Sequence, residues 1–587
     1  MKLTLQESDD LETMYNRAPR RKGNRGVRSI ILLFLLGVIA VFCWYGYMRF
    51  IPNNEKVDPN YKTEHPIFIQ GVEAEQGAII ENDEVKLPLS VLEQVLGVDK
   101  PIRYEPDSGS IILTTANKVL HLKTDSLTAT INQKPYDLTI TAETSNDMVY
   151  IPAEPLEELY GLKVEFVKET GTVTLLNAGD MVQLAEATPE KGAAIRTEAT
   201  IRAPFVQKVP QSQSIRIWKE QEGWLLVQNS EGIIGFMNKK DVKLTSIEKM
   251  PEQAAEPPFI AWKVLGNKIN MTWEAVYQRK IDTAKIAPMQ GVNVVSPTWF
   301  ELADDKGTIK GKADPAYVKW AHQQGMQIWA LFSNSFEPDR TTKALASVET
   351  RFSMIQQLIG FAQVYGLQGI NLDFENVHTS DKANFVQFVR ELTPLLHEQG
   401  LVVSVDVTPK SNSEMWSLFL DRAALGNVVD YMMVMAYDEH WAASPKSGSV
   451  ASLPWTESSL VRIMQEDAVP ASKIILSMPL YTRIWTEKKG EDGKIDVSSK
   501  AVGMKKVNEI ITTKKLKPVF DAKAGQNYVE YTEDGNLMRI WIEDEVSIKA
   551  RVALARKYDL AGVATWQRAF QTEAIWKSID DSLKIRP

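Results

Sequence analysis

Cysteine is almost missing from this chain. Its 587 residues hold only Cys43, so no disulfide can form within it. Any domain outside the cytoplasm must therefore be held by its own core. Cysteine-based zinc and iron–sulfur sites are excluded as well. Histidine is scarce: the six residues His65, His121, His322, His378, His397 and His440 form no HxxH or HxxxH pair. No metal and no cofactor is expected. An excess of positive charge is also missing, since 67 Lys and Arg face 75 Asp and Glu for a net −8. That balance argues against a nucleic-acid partner. Apolar residues are not lacking. At 44% hydrophobic and 24% charged, most of the chain can bury a core rather than stay disordered. At ~150 residues per domain, the length suggests about four domains.

One long apolar run is present. Residues 29–48, SIILLFLLGVIAVFCWYGYM, carry no charge. As a helix they span ~30 Å, enough for a bilayer's hydrocarbon core. Trp44, Tyr45 and Tyr47 gather at one end, as interfacial aromatics do. Arg17, Arg20, Arg21, Lys22, Arg25 and Arg28 precede the run, whereas only Arg49 and Lys56 follow it closely. The cationic flank places a tail, residues 1–28, in the cytoplasm and residues 51–587 outside, at the cell membrane. A cleaved signal peptide would need a small-residue cleavage site, and RFIPNNEKVDP offers none. The expectation is an uncleaved single-pass anchor with the lipid bilayer as its partner.

Residues 66–177 hold a weak repeat. VKLPLSVLEQVLG (85–97) matches VYIPAEPLEELYG (149–161), and IRYEPDSGSIIL (102–113) matches VEFVKETGTVTL (164–175). Each copy reads as a strand, a short helix and a hairpin. The pattern resembles the copper-amine-oxidase N-terminal-like domain of Gram-positive surface proteins, which implies a small α+β stalk. Residues 183–245 read as short strands, SIRIW, WLLVQ and IIGFM, between turns. GWLLVQNSEGIIGFMNKKDV resembles the closing half of a bacterial SH3-like domain, a small β-barrel, which implies contact with the cell wall or a spacer. Residues 246–258 are polar and proline-bearing, as a linker would be.

From residue 259 to 587, apolar runs alternate with amphipathic helices. The runs are FIAW (259–262), VNVVSPTW (292–299), MQIWALF (326–332), LQGINLDFE (367–375), LVVSVDVT (401–408), VDYMMVMAY (429–437), KIILSMPLY (473–481) and AGVATW (561–566). Eight near-continuous apolar strands with helices between them indicate a covered parallel sheet, and here a (β/α)8 TIM barrel. Its active site should gather at the C-terminal strand ends. Side chains alternate along a strand, so Asn371, Asp373 and Glu375 share one face of the fourth strand. A row of acidic and amide groups pointing into a barrel is costly unless it serves a function. Crowded carboxylates also raise one another's pKa, which can keep a glutamate protonated near neutral pH.

The segment Gly369 to Glu375 resembles the glycoside hydrolase family 18 signature DGxDxDxE, with Gln368 and Asn371 replacing its first two Asp residues. Met435-Ala436-Tyr437-Asp438 is similar to that family's M-x-Y-D, Pro479 to Arg483 to its P-x-Y-G-R with Thr482 for Gly, and Trp566 closes the eighth strand. The resemblance implies that Glu375 is the acid/base, that Asp373 orients the substrate's N-acetyl group, and that Tyr437 hydrogen-bonds it. Asn371, Met435, Asp438, Tyr481, Arg483 and Trp566 would contact the sugar. It also implies substrate-assisted retention, in which the 2-acetamido group replaces an enzymic nucleophile. The leading reading is a membrane-anchored extracytoplasmic glycosidase acting on β-1,4 bonds of N-acetylglucosamine-containing glycan, peptidoglycan above all. A chitinase for external chitin and a non-catalytic wall-glycan binder are the alternatives. A scaffold using only the stalk and SH3-like parts is a third, which the intact barrel pattern argues against.

Overall fold

The computed structural model describes residues 25–98, 100–253, 257–263, 268–277, 280–491 and 493–584. Residues 1–24 of the basic tail and 254–256 of the expected linker lie outside these. The chain divides into two compact units. One comprises residues 1–77 with 164–251, the other 78–163 with 252–587.

In the first unit a single helix, Arg25–Phe50, contains the apolar run and extends past both of its ends. Its side chains from Ser29 onward are almost all exposed. The same unit holds a four-stranded sheet that includes Ile67–Ile69 and Thr172–Leu176, and a seven-stranded antiparallel sheet. In sequence the latter runs from Met181–Ala187 to Val242–Lys249, and these first and last strands pair antiparallel from Met181↔Lys249 to Ala187↔Val242. The strand therefore continues four residues into the segment expected to be a linker. Ladder hydrogen bonds to 181–187 outweigh its polar composition.

In the second unit the two repeat copies meet directly. Glu84–Pro88 pairs antiparallel with Met148–Pro152, and each strand runs into its helix, Leu89–Leu96 or Ala153–Tyr160. Lys86, fully buried, ion-pairs with Glu81 and Glu143 there. The first copy's hairpin opens a five-stranded meander that runs from Ile102 to Asp137. It packs on the barrel's outer helices, where Glu105 pairs with Arg351 at 2.8 Å and Arg103 donates to Asn384 at 2.8 Å.

The barrel strands are, in order, Ile269–Glu274, Val294–Pro297, Gln327–Ser333, Gly369–Asp373, Val402–Val407, Tyr431–Met435, Ile474–Pro479 and Gly562–Trp566. All eight pair in parallel. The first joins the eighth and the second joins the third, so the barrel closes. Three expectations need correction. The first strand is INMTWE (269–274), not FIAW (259–262), which forms no strand. Asn270, Thr272 and Glu274 interrupt its apolar character, but all six residues are buried because both faces of a barrel strand are covered. The first crossover carries, among its described residues, only a 3-10 turn, Thr283–Lys285, in place of a helix. Finally, the seventh strand leads not into a helix but into a five-stranded antiparallel sheet spanning Tyr481–Ile542, with the helix Met504–Thr513. Its long alternating strands carry many polar side chains, so a search for apolar runs passes over them.

Alternation sorts the barrel residues into two cores. Ile269, Met271, Trp273, Val294, Trp329, Leu331, Val402, Tyr431, Met433, Ile475 and Ala564 fill the interior. Ile370, Leu372, Val403, Val405, Met432 and Val434 pack outward against the helices.

Candidate active site

The fourth strand places its polar face inside. Ile370, Leu372 and Phe374 belong to the outer core, so Asn371, Asp373 and Glu375 take the opposite parity and rise toward the C-terminal mouth. Asn371 is fully buried. Its Oδ1 accepts from Trp273 Nε1 at 2.9 Å and from Ser296 Oγ at 3.1 Å. Its Nδ2 donates to Asp406 Oδ1 on the fifth strand at 2.8 Å. Just past the strand end, Asn334 grips the backbone of Glu375 twice, donating to its carbonyl at 2.8 Å and accepting from its N–H at 3.1 Å. Asn334 thus holds the catalytic candidate by its main chain and does not engage its carboxyl.

Asp373 and Glu375 hydrogen-bond to each other through their side chains. Burial pushes Asp373 up to about 7, and the bond to Glu375 only partly opposes this. Asp373 Oδ1 is buried with no hydrogen-bond partner among the described residues. Glu375 keeps some surface open at the mouth, yet protein packs closely around it. Burial first, then the Asp373 charge, holds it well above the usual carboxylate range. The shift favours its protonated form, the form a proton donor needs. Asp406, 2% exposed, is also held well above its ordinary value, by burial and then by Asp373.

Met435 points inward at the end of the sixth strand, 8% exposed, and Tyr437 follows on the same parity. Burial raises the Tyr437 phenol well above its usual value, so it stays a neutral hydrogen-bond donor. The chain turns at Asp438 with φ +61°, a left-handed conformation that Asp tolerates better than most residues. The turn brings the Asp438 carboxylate to Tyr481 Oη at 2.7 Å and to Arg483 Nη2 at 3.1 Å. Tyr481 lies edge-on to Tyr437, with ring centroids 6.3 Å apart. Trp566 ends the eighth strand 6.0 Å from Trp273, and the Trp566–Gln567 peptide is cis.

The nine residues singled out from the sequence therefore fall into neighbouring groups around the mouth: Asn371, Asp373 and Glu375 on the fourth strand, Met435, Tyr437 and Asp438 on the sixth, Tyr481 and Arg483 after the seventh, and Trp566 on the eighth. Sequence reading missed Asp406, Asn334, Trp273 and Ser296. Asp406 left a signal, an acid of inward parity inside the apolar run LVVSVDVT. The other three act only through partners 41 to 98 residues away.

Residues 317–570 match the family model described as Glycosyl hydrolases family 18, and residues 68–175 match the one described as Copper amine oxidase N-terminal domain. The first two barrel strands precede the former match. Over 305 residues the chain is 28% identical to "Uncharacterized glycosylase YvbX" of Bacillus subtilis, covering 50% of this chain and 85% of that protein. Over 265 residues it is 25% identical to the "Cortical fragment-lytic enzyme" of Bacillus subtilis, covering 44% of this chain and 60% of that one. The structure of a chitinase from Chromobacterium violaceum aligns with 54% of this chain and 100% of its own, at 23% identity and a TM-score of 0.48.

Proposed function

We propose that this chain, whose C-terminal part matches the glycosyl hydrolases of family 18, is a glycan hydrolase that cleaves β-1,4 bonds of peptidoglycan from a membrane anchor. The observation that carries the chemistry is the Asp373–Glu375 pair, two hydrogen-bonded carboxyls at the barrel mouth with no ion-paired cation among the described residues. One must hold a proton, and Glu375, last on the inward face, is placed to give it away.

In the proposed reaction the substrate's 2-acetamido oxygen attacks the anomeric carbon. The glycosidic C–O bond breaks as Glu375 protonates the leaving oxygen. Asp373 hydrogen-bonds the acetamido N–H, and Tyr437 donates to its oxygen, so the nucleophile is held in its reactive pose. Glu375, now ionised, removes a proton from water as that water opens the oxazolinium ring. Asn371 and Met435 shape the floor, Asp438, Tyr481 and Arg483 hydrogen-bond sugar hydroxyls, and Trp566 offers its face to the ring.

Peptidoglycan is favoured because relatives carry the name cortical fragment-lytic enzyme and because the helix containing Ser29–Phe50 is apolar and long enough to hold the chain at a membrane. The cationic residues before that helix put the barrel outside the cell. Residues 66–177 then serve as the stalk, and 183–245 as an SH3-like module toward the wall. The test digests purified peptidoglycan and chitin with residues 51–587 and identifies products by mass. Reducing N-acetylglucosamine ends from peptidoglycan are expected, with none from Glu375→Gln. Products from chitin alone would replace the wall substrate with chitin. In protoplasts, external protease should remove a C-terminal epitope, and its protection would overturn the topology.

A further inference from the structure

The signature that the fourth strand resembles has a carboxyl where this chain has Asn371. The structure supplies a carboxyl next door. Asp406, on the inward face of the fifth strand, accepts the Asn371 amide at 2.8 Å. The amide cannot turn round, because an indole N–H can only donate, and Trp273 Nε1 fixes Oδ1 at 2.9 Å. Trp273 and Ser296 would serve a carboxylate oxygen at position 371 equally well. The interior thus keeps donors suited to an acid at 371 while the acid itself sits one strand away. Asp406 is nearly fully buried, and the site's guanidinium, Arg483, is engaged with Asp438 instead. The titratable groups that face Asp406 are Asp373 and Glu375 from the fourth strand and Tyr437 from the end of the sixth.

We propose that Asp406 is a positioning residue of the glycosidase reaction, a carboxyl relocated from the 371 position to the neighbouring strand, which through Asn371 and Asp373 sets the proton affinity of Glu375. This deepens the family 18 reading and rests on it. Three carboxyls facing one another at the barrel mouth resist ionising together, because like charges disfavour each other's ionised form. Burial and the Asp373 charge push Asp406 itself upward, so it shares the protons of the cluster rather than standing as a fixed anion. Removing it leaves two acids in place of three. Removing a potential negative neighbour can only lower the affinity of Glu375 for its proton, so the alkaline limb of activity must move to lower pH.

The experiment compares pH–rate profiles of wild type, Asp406→Asn, Glu375→Gln and the swap Asn371→Asp/Asp406→Asn, with thermal unfolding of each as a check on folding. Peptidoglycan fragments are the substrate. Asp406→Asn should lower kcat at least tenfold with KM within threefold, and shift the alkaline limb to lower pH. The swap inverts the 371–406 hydrogen bond and restores a third carboxyl, so it should recover kcat to within a few-fold of wild type and return the limb. A folded Asp406→Asn with the wild-type profile overturns the proposal. So does a loss of rate with an unmoved limb, or a folded swap that recovers neither quantity. If Glu375→Gln also stays active, the failure lies instead with the glycosidase reading of this site.

Discussion

Two sets of buried carboxyls in the second unit answer the same cost in opposite ways. On the outer wall, Glu391 is bound by Arg351 through two hydrogen bonds of 2.8 and 2.7 Å and by Gln387 at 2.8 Å. Glu543 is likewise held by Arg551 at 2.5 and 2.9 Å and by Gln526 at 2.8 Å. Burial raises both carboxyls, and the guanidinium of each pulls back. At the barrel mouth, Asp373 and Asp406 are buried and Glu375 part-buried, and among the described residues none of the three is ion-paired with a cation. The first set is neutralised by charge and stays inert. The second is neutralised by protons, which can be given away. A buried acid with a cation is architecture, whereas a buried acid among acids is a reagent.

The comparison breaks most visibly at Glu375. Glu375→Gln keeps the shape and removes the proton, and losing one general acid costs ~10²–10⁴ in rate. Since the proposed reaction uses the same residue in both half-reactions, turnover measured by product release should fall by at least the larger figure, while glycan binding by calorimetry persists.

On the architectural side, Arg351→Met leaves Glu391 buried without its cation and Glu105 with Arg103 alone. Breaking a buried pair by removing one partner costs about 3–5 kcal/mol. Denaturant unfolding should register that loss, and the pH profile of the remaining folded enzyme should not move.

Asp373→Asn tests both sides of the contrast together. Folded Asp373 holds its proton up to about 7, well above the ordinary value of 3.8. Between those values the native state binds a proton that the unfolded chain has released, so this residue makes stability fall as pH rises through that window. Asn removes the slope, at about 1.4 kcal/mol per pKa unit. The variant should therefore gain Tm over wild type progressively from pH 4 to pH 7, while its turnover drops. A constant Tm difference across that range would refute the protonated state.

The smallest effect is expected at a pair that is charged but wet. Lys123 and Glu349, 3.2 Å apart, have side chains about half exposed. Such surface bridges are worth ~0–1 kcal/mol, so Lys123→Ala should leave the unfolding midpoint nearly unchanged. A loss comparable to that of Arg351→Met would mean that the meander docks on the barrel through its rim rather than its buried ion pair.

Much of this was readable from residues alone, because strand alternation is local. GINLDFE shows without any partner that Asn371, Asp373 and Glu375 share a face, and seven of the eight barrel strands stand out as apolar runs. The apolar helix is legible for the same reason, since length and hydropathy need no neighbours. The repeat copies announce their strand–helix–hairpin order through their own turns and periodicity. Tertiary structure decided the rest. INMTWE became the first strand because covering both faces of a barrel strand outweighs the polarity of Asn270, Thr272 and Glu274. The sheet Tyr481–Ile542 emerged from antiparallel ladders whose alternating polar faces mimic loop composition. The role of Asn371 depends on Trp273, Ser296 and Asp406, brought together only by barrel closure across 35 to 98 residues. A sequence names which side chains can carry a proton. Which of them are left without a cation, and so must carry one, is set by the packing of distant strands.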